Sequence, residues 1–269
     1  MLTDTHCHIN VMVKKSFDAP LTIAEIKSAA PIIHDAQKHG VTIIINVGTS
    51  AIESENCVAL AREYPSLYAT VGIHPNDCTA TWQKDFAHIK KLVAQKEENK
   101  IVGIGECGID RHYPGYDLQR QNDAFRAQID LALEHNLGLV VHSRDAYDET
   151  LRTLEEYKGQ IKKATMHCFS YDQAFADEAI AMGFFIGIDA PITYPKNDAL
   201  RNVVKSLDLR HIVLETDAPF LPPQEFRGKQ NHPKYLAIVA QCISELKKES
   251  VESVAQQTTK NAKLLFGLE

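Results

Sequence analysis

With one tryptophan, Trp82, and only 7 % aromatic residues, this 269-residue chain is poor in the ring surfaces that stack nucleic acid bases. No interleaving of aromatic and basic residues is read from it, so no strong base preference is expected. Long apolar runs are absent too: nothing approaches the roughly 18 residues of a membrane-spanning helix. Met1-Leu2-Thr3-Asp4 opens into a strand-like run and not into a basic, apolar leader. A soluble, cytoplasmic protein with no membrane partner is expected. Positive charge is not in excess, since 29 Lys and Arg face 35 Asp and Glu, a net charge of −6 with His neutral. That excludes a general electrostatic hold on polyanions, and an anionic substrate would need a local positive site. The six cysteines (Cys7, Cys57, Cys78, Cys107, Cys168 and Cys242) contain no Cys-x-x-Cys pair, which predicts reduced thiols and neither disulfides nor a zinc ribbon. No Gly/Ser linker divides the chain, so 1–269 is read as one domain.

What is present is a regular alternation. Short β-branched or apolar runs recur at 2–7, 41–47, 68–73, 101–106, 137–142, 164–168, 184–188 and 211–215. Segments of helical spacing separate them, such as Phe125, Ile129, Ala132 and Leu133 on one face, or Tyr235, Leu236, Val239, Cys242, Ile243 and Leu246 on another. The runs are apolar at consecutive positions, as in parallel strands covered on both faces. Eight βα units in about 250 residues predict a (β/α)8 TIM barrel. The rival is an open doubly wound sheet, but no glycine-rich dinucleotide turn follows the first strand. The Lys247-Lys248-Glu249 patch reads as a solvated helix end.

Twelve histidines are the other unusual feature, and several fall at strand ends. His6 and His8, two apart, point to one side of the first strand, and Cys7 faces the other way. Glu106 ends the fourth strand among small residues, His142 the fifth and His167 the sixth, and Asp217 follows the eighth. In a barrel all six converge at the C-terminal mouth, where barrel enzymes place their chemistry. Imidazoles and carboxylates without thiolates suit Zn²⁺, Mn²⁺, Ni²⁺ or Co²⁺, and Mg²⁺ if acids and waters dominate. Six ligands are enough for two divalent ions if one carboxylate bridges, the arrangement that clamps attacking and leaving oxygens in hydrolysis. Such a pair would make the mouth net positive in an acidic protein.

Seven ordered blocks carry a resemblance: Asp4-Thr5-His6-Cys7-His8, Gly72-Ile73-His74-Pro75, the stretch from Gly105 to Asp110, His142-Ser143-Arg144, His167-Cys168-Phe169-Ser170, the stretch from Glu215 to Pro219, and the stretch from Arg227 to Pro233. From Asp4 to Phe266 the chain resembles the TatD-type metal-dependent deoxyribonucleases. The resemblance implies an amidohydrolase-superfamily barrel with one metal on His6, His8, Glu106 and Asp217 and a second on Glu106, His142 and His167. It implies two divalent ions (Mg, Mn or Zn) and a bridging hydroxide. The implied activity is hydrolysis of DNA, single-stranded or at 3′ ends, as a 3′ to 5′ exonuclease. Some relatives instead release D-amino acids from aminoacyl-tRNA, a carbonyl-ester alternative. The loop from Asn10 to Pro31, with Lys14 and Lys15, looks longer than in most members, and Asp189 stands where a small or hydroxyl residue is expected.

Among the catalytic candidates, Asp217 is read as the general base that orients the attacking water, beside Glu106. His74 is assigned to a phosphate oxygen, or alternatively packs above Pro75. Arg144, Arg227 and Lys229 are candidates for gripping flanking phosphates, against which stand solvated loop charge and, for Arg144, pairing with Asp145. Glu215 is read as orienting a ligand histidine, Asp110 and Tyr113 as rim contacts, Asn261 as a hydrogen bond closing the last helix, and Cys168 as turned away from the site.

Overall fold

In the computed structural model, which describes residues 1–16 and 19–269, eight strands form one sheet in unbroken sequence order, each parallel to the next. They are β1 (Leu2–Cys7), β2 (Val41–Val47), β3 (Leu67–Val71), β4 (Ile101–Asp110), β5 (Gly138–Arg144), β6 (Ala164–Met166), β7 (Phe184–Ile188) and β8 (Ile212–Leu214). Between and after them run helices α1 (Ile9–Val13), α2 (Ile23–Ser28), α3 (Ala30–Lys38), α4 (Ala51–Glu63), α5 (Trp82–Val93), α6 (Leu118–His135), α7 (Tyr147–Glu155), α8 (Gln173–Ala181), α9 (Asp198–Ser206), α10 (Leu236–Lys247) and α11 (Val251–Phe266). The expected TIM barrel is what forms.

The ends of the sheet meet at a polar seam. Asp4 is fully buried and accepts from the Thr216 hydroxyl at 2.6 Å and the Thr216 N–H at 3.0 Å. Beyond it the Asp217 N–H donates to the His6 carbonyl and the His8 N–H to the Ala218 carbonyl, at 2.9 and 2.7 Å. Burial lifts the Asp4 carboxyl to about 8 in spite of these donors. The seam therefore joins the two metal-candidate segments, 6–8 and 217, through main-chain bonds.

Strand alternation splits the core in two. Ile45 and Val47 of β2, Val102 of β4, Val140 of β5 and Val213 of β8 form one cluster, plugged from below by Leu265 and Phe266 of α11. Their neighbours Ile44, Leu139, Val141, Ile212 and Leu214 belong to the larger layer between sheet and helices. On β5 the inward face that carries Val140 goes on to carry His142. The helices start where side-chain oxygens cap free N–H groups: Ser50 for α4, Asp117 for α6, Asp172 for α8 and Ser250 for α11. Gly108, at φ +142°, allows β4 to approach β5, because a Cβ there would lie 1.9 Å from the His142 carbonyl oxygen.

Several local expectations need correction. β4 runs four residues further than expected, to Asp110, while β6 and β8 are shorter, so His167 lies just beyond its strand. Most of the stretch from Asn10 to Pro31 is helical, in α1, α2 and the start of α3, and its residues 17 and 18 lie outside the described ones. Lys247 is not merely solvated, since its ammonium donates to the carbonyls of Val204, Lys205 and Leu207 at the end of α9. Asn261 ties α11 to the barrel and not to its own helix end, donating to the Leu209 and Ile212 carbonyls at 2.7 Å. All six cysteines are free thiols. Among the described residues no helix is long and apolar enough to cross a membrane.

Candidate metal centre

At the C-terminal ends of the strands a cavity of about 500 Å³ is lined by His8, His74, Glu106, His142, Arg144, His167 and Asp217, with His6 fully buried at its floor. The centre of this group is the Glu106 carboxylate, and its two oxygens face different partners. Oε2 lies 3.4 Å from His6 Nε2. Oε1 lies 2.7 Å from His142 Nδ1 and 3.7 Å from His167 Nε2. Asp217 Oδ1 completes the first side, 3.3 Å from His8 Nε2 and 3.7 Å from His6 Nε2. Its backbone φ of +55°, rare for a residue with a side chain, is held by the seam.

Three of the rings are oriented from behind. His8 Nδ1 faces the Val47 carbonyl at 2.9 Å, and His167 Nδ1 faces Glu215 Oε1 at 3.0 Å. His142 Nε2 faces Asp110 Oδ2 at 3.0 Å. With the protons on these outward nitrogens, the inward nitrogens present lone pairs to the cavity. Glu215 fits beneath His167 because residue 187 is glycine, where a Cβ would come within 2.7 Å of either carboxylate oxygen. The ring of His6 stacks on that of His167 with centroids 3.4 Å apart, and its Nδ1 is buried without a partner.

These placements test whether the residues fit a bound metal. The Nε2 atoms of His6 and His8 stand 3.1 Å apart, and His142 Nδ1 is 2.7 Å from a carboxylate oxygen while its other nitrogen is already engaged. Lone pairs at such distances need a proton or a cation between them. The acid–base behaviour says the same. Burial opposes charge on His167, yet Glu215 and Glu106 raise its pKa to about 10. Burial likewise opposes charge on His142 and His8, but the bonds that His142 donates to Asp110 and Glu106, and His8 to Asp217, raise both. Burial works to raise the Glu106 carboxyl, but the surrounding histidines, His167 first, hold it well below its usual range. The site attracts positive charge. His6, His8 and Glu106 bring donor atoms within 4.8 Å of one another, as do His6, His167 and Glu215, and His74, Asp110 and His142. The first trio lies within an expected ligand set. The other two mix inward donors with the groups that orient them.

His74 also lines the cavity. Burial, and then the nearby His142, lower its pKa to about 3, so it is neutral. Its Nδ1 accepts from the Asn76 N–H, which leaves the proton on Nε2, 3.7 Å from Glu106 Oε1. Arg144 reaches the cavity, and its expected partner Asp145 pairs instead with His112 at 2.9 Å. Arg227 and Lys229 are not among the cavity-lining residues: Arg227 lies over the Tyr194 ring at 4.5 Å and Lys229 over Phe226 at 6.0 Å. Cys168 was read as turned away but lines the cavity, its backbone in the left-handed region at φ +46°. Asp189 is buried, and burial, with Glu215 and Asp217 nearby, raises it to about 8. Sequence reasoning missed the contact of Asp110 with His142 and the cavity walls Phe220 and Leu221. The signal for Asp110 was available, since positions 106 and 110 of one strand share a face.

A family model described as TatD related DNase matches residues 3–267. The chain belongs to that family. As a TatD-related protein it is a metal-dependent hydrolase, which the converging imidazoles and carboxylates match. It is 36 % identical over 266 residues to an uncharacterized metal-dependent hydrolase of Bacillus subtilis, covering 99 % of each chain. It is 32 % identical over 248 residues to the 3′-5′ ssDNA/RNA exonuclease TatD of Erwinia tasmaniensis, covering 90 % of this chain and 95 % of that one. The crystal structure of a TatD homolog from Escherichia coli superposes with a TM-score of 0.90 at 28 % identity, covering 100 % of this chain and 98 % of that one.

Proposed function

We propose that this TatD-related chain, acting as one domain, hydrolyses phosphodiester bonds at the ends of single-stranded nucleic acid with two divalent metal ions. The observation that carries the reading is the divided Glu106 carboxylate, one oxygen toward His6 and the other toward His142 and His167. It supports one metal on His6, His8, Glu106 and Asp217 and a second on Glu106, His142 and His167. Bound there, divalent cations such as Mg²⁺, Mn²⁺ or Zn²⁺ supply charge neutralisation at phosphoryl oxygens and activation of water.

The protein's own groups do the rest. Asp217, whose carboxyl the neighbouring histidines hold ionised against the effect of burial, accepts the proton of the attacking water at its carboxylate. His74, neutral and with its proton on Nε2, donates to a non-bridging phosphate oxygen. Arg144 at the cavity wall holds a flanking phosphate. Arg227 and Lys229, in the loop after β8, meet phosphates further along the strand. Substrate names carried by the relatives, ssDNA and RNA among them, favour this class over the carbonyl ester of an aminoacyl-tRNA.

The test is incubation of purified protein with end-labelled single-stranded DNA and each divalent metal. Mononucleotides are expected, lost with chelator and with His142→Ala. Absence of cleavage with every metal, combined with release of amino acid from D-aminoacyl-tRNA, overturns the reading in favour of ester hydrolysis.

A further inference from the structure

Few large apolar side chains stand exposed among the described residues, and the aromatic ones are Tyr113 at 54 %, Tyr116 at 39 % and Phe220 at 50 %. Single exposed apolar residues are ordinary on a protein surface. Here, however, every such ring stands on a loop leaving the C-terminal end of a strand. Tyr113 and Tyr116 lie between β4 and α6, and Phe220 follows β8. In a barrel of eight strands in sequence order, β4 and β8 are half a circuit apart, so the two loops face each other across the mouth.

Both sides connect directly to the metal cavity. Phe220 lines it, its ring meeting that of His8 nearly edge-on with centroids 5.8 Å apart. On the opposite side Arg144, also a lining residue, lies over the Tyr113 ring at 5.5 Å. The other neighbours of Tyr113 form a separate groove of about 400 Å³ lined by Pro75, Thr79 and Tyr116 among others. Arg111 steadies its far wall, donating to the Tyr116 hydroxyl at 3.1 Å and pairing with Glu149.

We infer that Tyr113 and Phe220 are stacking walls for the two unpaired bases on either side of the phosphate that enters the cavity. The inference rests on the phosphodiesterase reading and adds to it the two residues that would hold the unpaired bases. A ring face can take any base, because every base has a π-face, so the walls select single strands without selecting sequence. A duplex offers no such face, since its bases are already stacked on one another. Arg144 over Tyr113 places a cation where the adjoining backbone phosphate passes, a pairing of ring and charge that suits a nucleotide better than an apolar peptide. The sequence led to no expectation of a stacking platform, and the inference departs from that reading at Tyr113, in the short run from Arg111 to Tyr116, and at the distant Phe220.

The test is fluorescence anisotropy of a labelled thymidylate hexamer with chelator present, so that nothing is cleaved, beside a hexamer of identical charge that carries no bases. Wild-type protein is expected to bind the thymidylate hexamer more tightly than the abasic one. Tyr113→Ala and Phe220→Ala should each weaken thymidylate binding about tenfold, while Tyr113→Phe and Phe220→Tyr keep it, and none should change abasic binding. Equal wild-type affinity for the two hexamers, or equal losses on both in the alanine variants, overturns the inference. Its fate is separable from that of the nuclease reading. Base-dependent binding by a protein that cleaves no diester keeps the walls and removes the nuclease; cleavage of both hexamers at equal efficiency does the reverse.

Discussion

Asp110 holds His142 from behind: its Oδ2 lies 3.0 Å from Nε2, while the opposite ring nitrogen faces Glu106 at 2.7 Å. The Asn76 amide donates to the same carboxylate oxygen, and the His112 N–H donates to Oδ1. Burial alone would raise this carboxyl, but the His142 bond and these donors lower it to about 2, so it stays a fixed anion. A carboxylate in that position sets the tautomer and the direction of a metal-ligating imidazole.

Asp110→Ala should therefore weaken metal binding by about 10- to 100-fold, and Asp110→Asn, which keeps an acceptor, by less. Competition with a coloured chelator measures this without reference to activity. Unchanged affinity in the alanine variant would show that His142 needs no such support.

The divided Glu106 carboxylate predicts that the two proposed metals depend on one residue. Mn²⁺ at 100 times its dissociation constant should stabilise wild-type protein by about 2.7 kcal/mol, with elemental analysis giving two metals per chain. Glu106→Gln should lose most of both effects. Retention of one full equivalent in the variant would count against a shared ligand.

Gly108 and Gly115 both have positive φ, but only Gly108 is crowded. At Gly115 an added Cβ meets nothing within 4 Å, so Gly115→Ala should cost about 1 kcal/mol of backbone strain. At Gly108 it would collide with the His142 carbonyl oxygen, and Gly108→Ala should cost about 3 kcal/mol or more. Urea unfolding of the two variants provides the comparison. Equal losses would mean that β4 and β5 can separate freely at this point.

His232 supplies a pH dependence away from the metal centre. Its Nδ1 accepts from the Lys234 N–H at 3.1 Å, which a protonated nitrogen cannot do. Burial first, then the Lys234 charge, lower its pKa to about 4, with Asp35 opposing and His39 adding to the shift. Because the folded value lies below the unfolded one, about 6.5, protonation favours the unfolded chain. The stabilisation is complete above pH ~6.5 and is lost as the pH falls toward ~4. His232→Asn keeps an acceptor but does not titrate, so its unfolding free energy should fall less steeply over that window, by up to about one proton. Parallel curves for variant and wild type would exclude the effect.

The barrel was legible in the sequence because parallel strands covered on both faces leave a local mark, consecutive apolar residues at regular intervals. The convergence of His6, His8, Glu106, His142, His167 and Asp217 was legible for a related reason: a barrel carries every strand end to one rim, so residues far apart in the chain meet wherever the alternation places them. Glu215 was legible as an orienting group and Asp110 shares a strand face with Glu106, but which ring each one backs was decided only by tertiary structure. Asp110 behind His142, and Glu215 beneath His167 in space left by Gly187, depend on the register between neighbouring strands, shifted between Ile104 and Cys107 beside Glu106. The facing of Tyr113 and Phe220 across the mouth depends on closure of the barrel. Strand ends follow from local pattern, but which side chain backs which ring and which rings face one another are set by contacts between different strands, 32 residues apart for Asp110 and His142 and 48 for Glu215 and His167, where the periodicity of one strand does not fix the partner on another.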